Sequence, residues 1–182
     1  MKIVKTFIDD LYVVEPIVHG DSRGWFSETY NLNELKKHGI SINFVQDNHS
    51  FSKEKGVLRG LHLQNDPFAQ TKLVRCTKGK IFDVAVDLRP KSNTYLKWFG
   101  LELTENNHKM LLVPKGFAHG FLTLVENTEV QYKVDQYYNK DSDRSIQYND
   151  PLFNVEWPKM DYQLSDKDRL AKVYNETDIN LI

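Results

Sequence analysis

The chain has 182 residues, a formal net charge of −1 and a 12% aromatic share. That length can bury a sizeable core and reads as one domain, residues 1–182. Near-neutral charge argues against a general nucleic-acid binder, which carries a basic stripe, and no apolar run approaches membrane-spanning length. The single cysteine, Cys76, excludes an internal disulfide framework and suits a reducing compartment. The opening Met1-Lys2-Ile3-Val4-Lys5-Thr6 lacks the apolar core of a signal peptide, so a cytoplasmic location is expected.

Leu11 to Pro16 reads as a strand, followed by a turn at Gly20-Asp21-Ser22-Arg23-Gly24 and a short strand from Trp25 to Tyr30. Asn31 to His38 predicts a helix. Asn31 can cap it, Glu34 sits three residues on as in a capping box, and Gly39 supplies a left-handed stop. From about Phe44 to Tyr138 the pattern is β. Lys72 to Thr77 and Lys80 to Leu88 are strands joined at Lys78-Gly79, which predicts a hairpin. In the second, Phe82, Val84, Val86 and Leu88 share one face, and Ile81, Asp83, Ala85 and Asp87 the other. Further strands read at Lys97 to Leu103, Lys109 to Val113, Gly120 to Val125 and Thr128 to Val134. Turns fall at Glu105-Asn106-Asn107 and Glu126-Asn127. Many short strands at this spacing predict a mainly β sandwich or barrel with a few short peripheral helices. The tail after Asn149 reads as loop, then as helix from Ser165 to Ala171. No G-x-G-x-x-G follows a strand and no P-loop is present, which argues against nicotinamide chemistry and nucleotide hydrolysis.

Two segments set a histidine among glycines and apolar residues: Arg59-Gly60-Leu61-His62-Leu63-Gln64 and Pro114-Lys115-Gly116-Phe117-Ala118-His119-Gly120-Phe121. Two such histidines could hold a metal or could move protons. The spacing from His62 through Lys72 to Gly79, with the later Pro114-x-Gly116-x-x-His119, resembles the two motifs of the cupin superfamily, a small β-barrel or jelly roll. Metal-binding cupins place a second histidine where Gln64 stands and a glutamate where Lys72 stands. An ammonium repels a metal, and two histidines without a carboxylate make a poor zinc or iron site. No metal and no cofactor are expected.

The wider sequence resembles one non-metal cupin family, the dTDP-4-dehydrorhamnose 3,5-epimerases, from about Ile8 to Ala171. Its carriers include Gly20 to Phe26, Phe44 to Ser50, Gly56 to His62, Lys72 to Arg75, Phe82 to Asp87, Pro114 to Phe121, Tyr132-Lys133, Tyr137-Tyr138, Glu156-Trp157-Pro158 and Leu164 to Asp168. The resemblance implies a jelly roll acting on a dTDP-linked 4-keto-6-deoxy sugar, whose C–H bonds beside the carbonyl are acidic. It implies His62 as the base, Asp168 as its orienting partner, Lys72 at the enolate oxygen and Tyr132 as the acid on the other face. Arg23 and Arg59 are assigned to the diphosphate, and Glu28, Gln46, Asp47 and Asn48 to nucleotide and sugar. Phe26 is assigned to thymine stacking and Tyr138 to the sugar ring. His119 is assigned to sugar or phosphate, and Asp143 and Lys167 to the nucleotide. A homodimer is implied, in which Arg23, Phe26 and Glu28 complete the neighbour's site.

Other readings stay open on the residues alone. Ser165-x-x-Asp168 is also a capping pattern, Tyr132 suits a core, and Tyr137 and Tyr138 suit packing or stacking. Leu63 stands where the family usually has an aromatic residue; strand alternation points it away from the side His62 faces. Single-carbon epimerases, ketoisomerases and non-catalytic sugar-binding cupins are the rival functions.

Overall fold

The computed structural model describes residues 1–181. In chain order the elements are β1 (Lys2–Lys5), β2 (Tyr12–Glu15), β3 (Val18–Asp21), β4 (Gly24–Ser27), α1 (Leu32–Lys36), β5 (Gln46–Ser52), β6 (Leu58–Gln64) and β7 (Lys72–Lys78). There follow β8 (Lys80–Asp87), β9 (Trp98–Thr104), β10 (Met110–Val113), β11 (Phe117–Thr123), β12 (Thr128–Val134), β13 (Asp143–Ser145), α2 (Asp166–Arg169) and a 3-10 turn at Tyr174–Glu176. The antiparallel strands form a six-stranded sheet, β1-β2-β10-β7-β12-β5, and a five-stranded sheet, β13-β6-β11-β8-β9. A separate β3–β4 hairpin belongs to neither. This is the expected mainly β jelly roll with short peripheral helices.

Alternation along the strands explains three apolar layers. Val74 and Val130 from one sheet meet Ile81, Ala85 and Phe121 from the other in the central core. The outer face of the five-stranded sheet buries Val84, Val86 and Leu88 under Phe153 and Trp157, while Leu35 of α1 covers Leu73 and Met110 on the six-stranded sheet. β8 is therefore buried on both faces, with Asp83 and Asp87 among the apolar residues of one of them. The segment after Asn149 is irregular yet packed: Trp157 is buried and its indole N–H donates to the Tyr148 carbonyl at 2.9 Å.

The hairpin expected at Lys78-Gly79 does not form. β7 and β8 lie in different sheets, so this tight turn crosses the sandwich. Gly79 has φ +79°, and a Cβ there would sit 2.6 Å from the Thr128 hydroxyl. A glycine therefore serves a corner as well as a hairpin, and local sequence does not distinguish the two. The capping box at α1 is half formed: the Asn31 side chain accepts from the Asn33 and Glu34 amides, but the Glu34 carboxylate pairs with Lys37 at 2.6 Å. β1, β3 and β13 were not anticipated. Each has only three or four residues, too few for a periodic signal. Among the described residues no helix is long and apolar enough to cross a membrane.

Candidate active site

At one end of the sandwich the apolar interior gives way to polar side chains. On β5 the inward positions are Gln46, Asn48 and Ser50, while Asp47 alternates outward. β6 and β11 bring His62 and His119 directly opposite each other. Glycine permits this approach: a Cβ on Gly60, which has φ +128°, would lie 2.6 Å from the Gly120 Cα. Lys72 opens β7 on the facing sheet, and Tyr132 stands beside it on β12. Two adjoining hollows, of about 460 and 310 Å³, share His62, Lys72, Tyr132 and Lys167.

His62 is held by a carboxylate. Its Nε2 lies 2.5 Å from Oδ1 of Asp168, which is buried. Asp168 reaches this position because Ser165 starts α2. The Ser165 hydroxyl accepts from the Asp168 amide at 3.1 Å and donates to Oδ2 at 2.7 Å. The capping and partner readings of Asp168 therefore both hold in one residue. Burial raises the Asp168 pKa, but hydrogen bonds from His62 and Ser165 outweigh it and leave the carboxyl below its usual range. An ionised Asp168 keeps the proton on Nε2 of His62, so the neutral ring carries its lone pair on Nδ1. Burial lowers the His62 pKa below its ordinary value and outweighs Asp168, which favours that neutral ring.

Lys72 has the opposite requirement. Burial pushes its ammonium down to about 8, against the attraction of Asp143 and Asp83. Its Nζ lies 3.5 Å from the His62 carbonyl. Burial raises Tyr132, with Arg59 pulling the other way, so its hydroxyl keeps its proton at neutral pH. The arrangement offers a neutral base on one sheet. A cation and a phenolic proton donor stand on the sheet facing it. Among the described residues no three histidine, cysteine, aspartate or glutamate side chains cluster so as to share a metal ion.

The family model described as dTDP-4-dehydrorhamnose 3,5-epimerase matches residues 5–176. The chain belongs to that family. The Shigella flexneri dTDP-4-dehydrorhamnose 3,5-epimerase is 46% identical over 179 residues, covering 98% of each chain. The fold is similar to the Bacillus anthracis enzyme of the same name, crystallised with TDP and PPi bound. The two superpose with TM-score 0.92 at 49% identity, over 94% of this chain and 98% of that one. It is equally similar to the Legionella pneumophila dTDP-6-deoxy-D-glucose-3,5-epimerase in complex with dTDP-4-keto-L-rhamnose. There the TM-score is 0.92 at 44% identity, over 96% of this chain and 93% of that one. The protein is thus an isomerase of the dTDP-4-dehydrorhamnose 3,5-epimerase type with a cupin-type fold.

Most of the residues assigned through this epimerase family converge. Gln46, Asn48, His62, Lys72, Tyr132, Tyr138, Asp143 and Lys167 line the larger hollow, while Arg59, His119 and Asp168 join the smaller. At the rim, Lys167 pairs with Asp143 at 2.5 Å and the Tyr138 hydroxyl donates to the same carboxylate at 3.3 Å. Arg59 is exposed and holds the Phe51 carbonyl and the Ser52 hydroxyl, each at 3.3 Å. Four residues lie elsewhere. Asp47 points to the outer face of the six-stranded sheet and pairs with Lys133 at 2.7 Å. Arg23 and Phe26 belong to the β3–β4 hairpin and its own shallow hollow, and Glu28 accepts from Asn31 at 3.3 Å. Leu63 is buried in the outer apolar layer and also reaches the lining of the larger hollow. Ser50, Phe121 and Ser165 also line the smaller hollow, and no role was assigned to them from sequence. Alternation from Asn48 and from His119 predicts the first two; the third needed the helix cap.

Proposed function

We propose that this chain epimerises C3 and C5 of dTDP-4-dehydro-6-deoxy-D-glucose to give dTDP-4-dehydro-L-rhamnose, without a cofactor. The observation that carries this reading is the buried Asp168–His62 pair facing Lys72 and Tyr132 across one cavity. Nδ1 of His62 takes the proton from the carbon beside the keto group. The C–H electron pair moves into a C–C double bond, and the carbonyl pair moves to oxygen. Lys72 stabilises that enolate oxygen. The Tyr132 hydroxyl returns a proton to the opposite face, the carbonyl reforms, and solvent exchange resets both side chains. His62 and Tyr132 come from facing sheets, so removal and return occur from opposite sides of the ring.

Binding follows from the same chemistry. The Arg59 guanidinium suits diphosphate oxygens. Gln46, Asn48 and His119 serve the sugar, and Asp143, Lys167 and Tyr138 serve the nucleotide side. The protein is proposed to work as a homodimer in the cytoplasm, with Arg23, Phe26, Glu28 and Asp47 contributing where two copies meet. The exposed Trp25 and Phe26 on an unpaired hairpin support that part of the reading.

The test is turnover of the 4-keto sugar in heavy water, read by NMR. Deuterium is expected at both C3 and C5. No incorporation at either carbon overturns the proposal, and incorporation at one alone makes the protein a single-carbon epimerase. Tyr132→Phe removes only the donor. It is expected to slow product formation by roughly 10²–10⁴-fold, with substrate affinity nearly unchanged by calorimetry.

A further inference from the structure

One polar side chain in the larger hollow is engaged by the protein's own backbone. Gln64 ends β6, is only 4% exposed and lines that hollow beside His62 and Lys72. Its Nε2 donates to the Phe68 carbonyl at 2.6 Å and to the Tyr137 carbonyl at 3.2 Å. Its Oε1 accepts from the Asn139 amide at 2.7 Å. Two carbonyls require donors and a backbone N–H requires an acceptor, so these partners fix which end of the amide is which. Both amide protons are used, and Gln64 has none left to give a substrate.

The Tyr137 carbonyl and the Asn139 amide flank Tyr138. One buried side chain therefore holds the backbone on both sides of an exposed ring at the rim of the cavity. The far end of that ring is held as well. The Tyr138 hydroxyl donates to Asp143 at 3.3 Å, and Asp143 stands opposite Gln64 in the pairing of β13 with β6. A second bond of the same kind lies next to it, where the Gln70 side chain donates to the Gln136 carbonyl at 2.8 Å.

We propose that Gln64 is a positioning residue: it clamps residues 137–139 so that Tyr138 meets the substrate already in place. This rests on the epimerase reading above, which assigns Tyr138 to the substrate. Tyr138 lies in the loop between β12 and β13 and is 60% exposed, so packing alone does little to hold it. Without the clamp, substrate binding has to order that loop, and ordering it lowers affinity. His62, Lys72 and Tyr132 sit on strands outside the clamped segment. The loss therefore falls on KM rather than on the proton-transfer steps.

Gln64→Met keeps the length of the side chain and removes all three bonds. KM for the 4-keto sugar is expected to rise roughly tenfold, with kcat within about threefold of the parent. An unchanged KM, or a kcat loss as large as the rise in KM, overturns the proposal, because a merely structural Gln64 only lowers the amount of active protein. Tyr138→Ala should also raise KM. Adding Gln64→Met to it should raise KM by less than about threefold more, since no ring is left to position. A larger further rise, or a Tyr138→Ala variant with the parent's KM, overturns the proposal. If Gln64→Met does not fold, Gln64→Glu goes through the same cycle; it keeps an acceptor for Asn139 and gives up the two amide donors. The clamp itself is read in the free protein by NMR. Hydrogen exchange at the Asn139 amide should quicken roughly tenfold in Gln64→Met. An unchanged rate there overturns the clamp whether or not the protein turns over sugar. Absence of deuterium incorporation by the unaltered protein instead defeats the epimerase reading, and with it the substrate role of Tyr138, while the amide exchange still reports on the clamp.

Discussion

His62→Ala is expected to abolish deuterium exchange at both carbons. Positioned proton transfer contributes roughly 10²–10⁴-fold, and His119, the other histidine lining the cavity, is assigned to substrate contact rather than to proton removal. The substitution also strands a carboxylate. Asp168 is buried and loses the partner 2.5 Å away that holds its pKa down. Its pKa should therefore rise, with Ser165 left as its main support. His62→Asn, which can still reach Asp168, separates the two effects: exchange stays abolished while thermal stability is retained better than in His62→Ala. The measurement is exchange by NMR beside a thermal melt. Exchange within tenfold of the parent in His62→Asn removes His62 from the role of base.

Lys72→Met is expected to lower kcat by about 10²–10³-fold, the effect of removing one preorganised oxyanion donor, or roughly 3–4 kcal/mol of barrier. KM should change far less, because the charge it stabilises develops after binding. The pH profile gives the sharper test. His62 acts as a neutral ring, and burial places its pKa below 6.5, so the acid limb of kcat/KM should lie below 6.5. Lys72 acts as a cation, and its pKa is pushed down to about 8, so activity should fall as pH rises through 8. In Lys72→Met the acid limb should remain and the limb near 8 should vanish. A profile that keeps its alkaline limb assigns that limb to another group.

Much of this site was legible in the chain because strands impose a period of two. Gln46 and Asn48 on β5, and Gly60 with His62 on β6, occupy positions that alternation sends inward together. A lysine at position 72, where the cupin resemblance places a metal-ligating glutamate, changed the expected chemistry from ligation to proton transfer. The fold class followed from many short strands separated by turns. The hairpin expectation failed for a physical reason. Gly79 was taken for a hairpin glycine because local sequence shows that the chain turns, whereas pairing partners many residues away decide which sheet the next strand joins. Asp47 lies on the outer face of its sheet because adjacent strand residues face opposite sides.

The two histidine segments illustrate the division of labour. Residue types and spacing along the chain were enough to indicate a β fold, and the family resemblance named the candidate site residues and the lysine where metal-binding cupins carry a glutamate. Tertiary structure alone decided the pairings. Asp168 lies 106 positions from His62 in sequence, and only the packing of α2 against β6 brings its carboxylate to the ring. Tyr132 and Lys72 oppose His62 because the two sheets face each other. His119 becomes one half of a buried pair because β8 runs beside β11 and places Asp83 behind it. Spacing encodes which face a side chain takes, but which charge it meets there depends on contacts between distant strands, and those contacts set the protonation states.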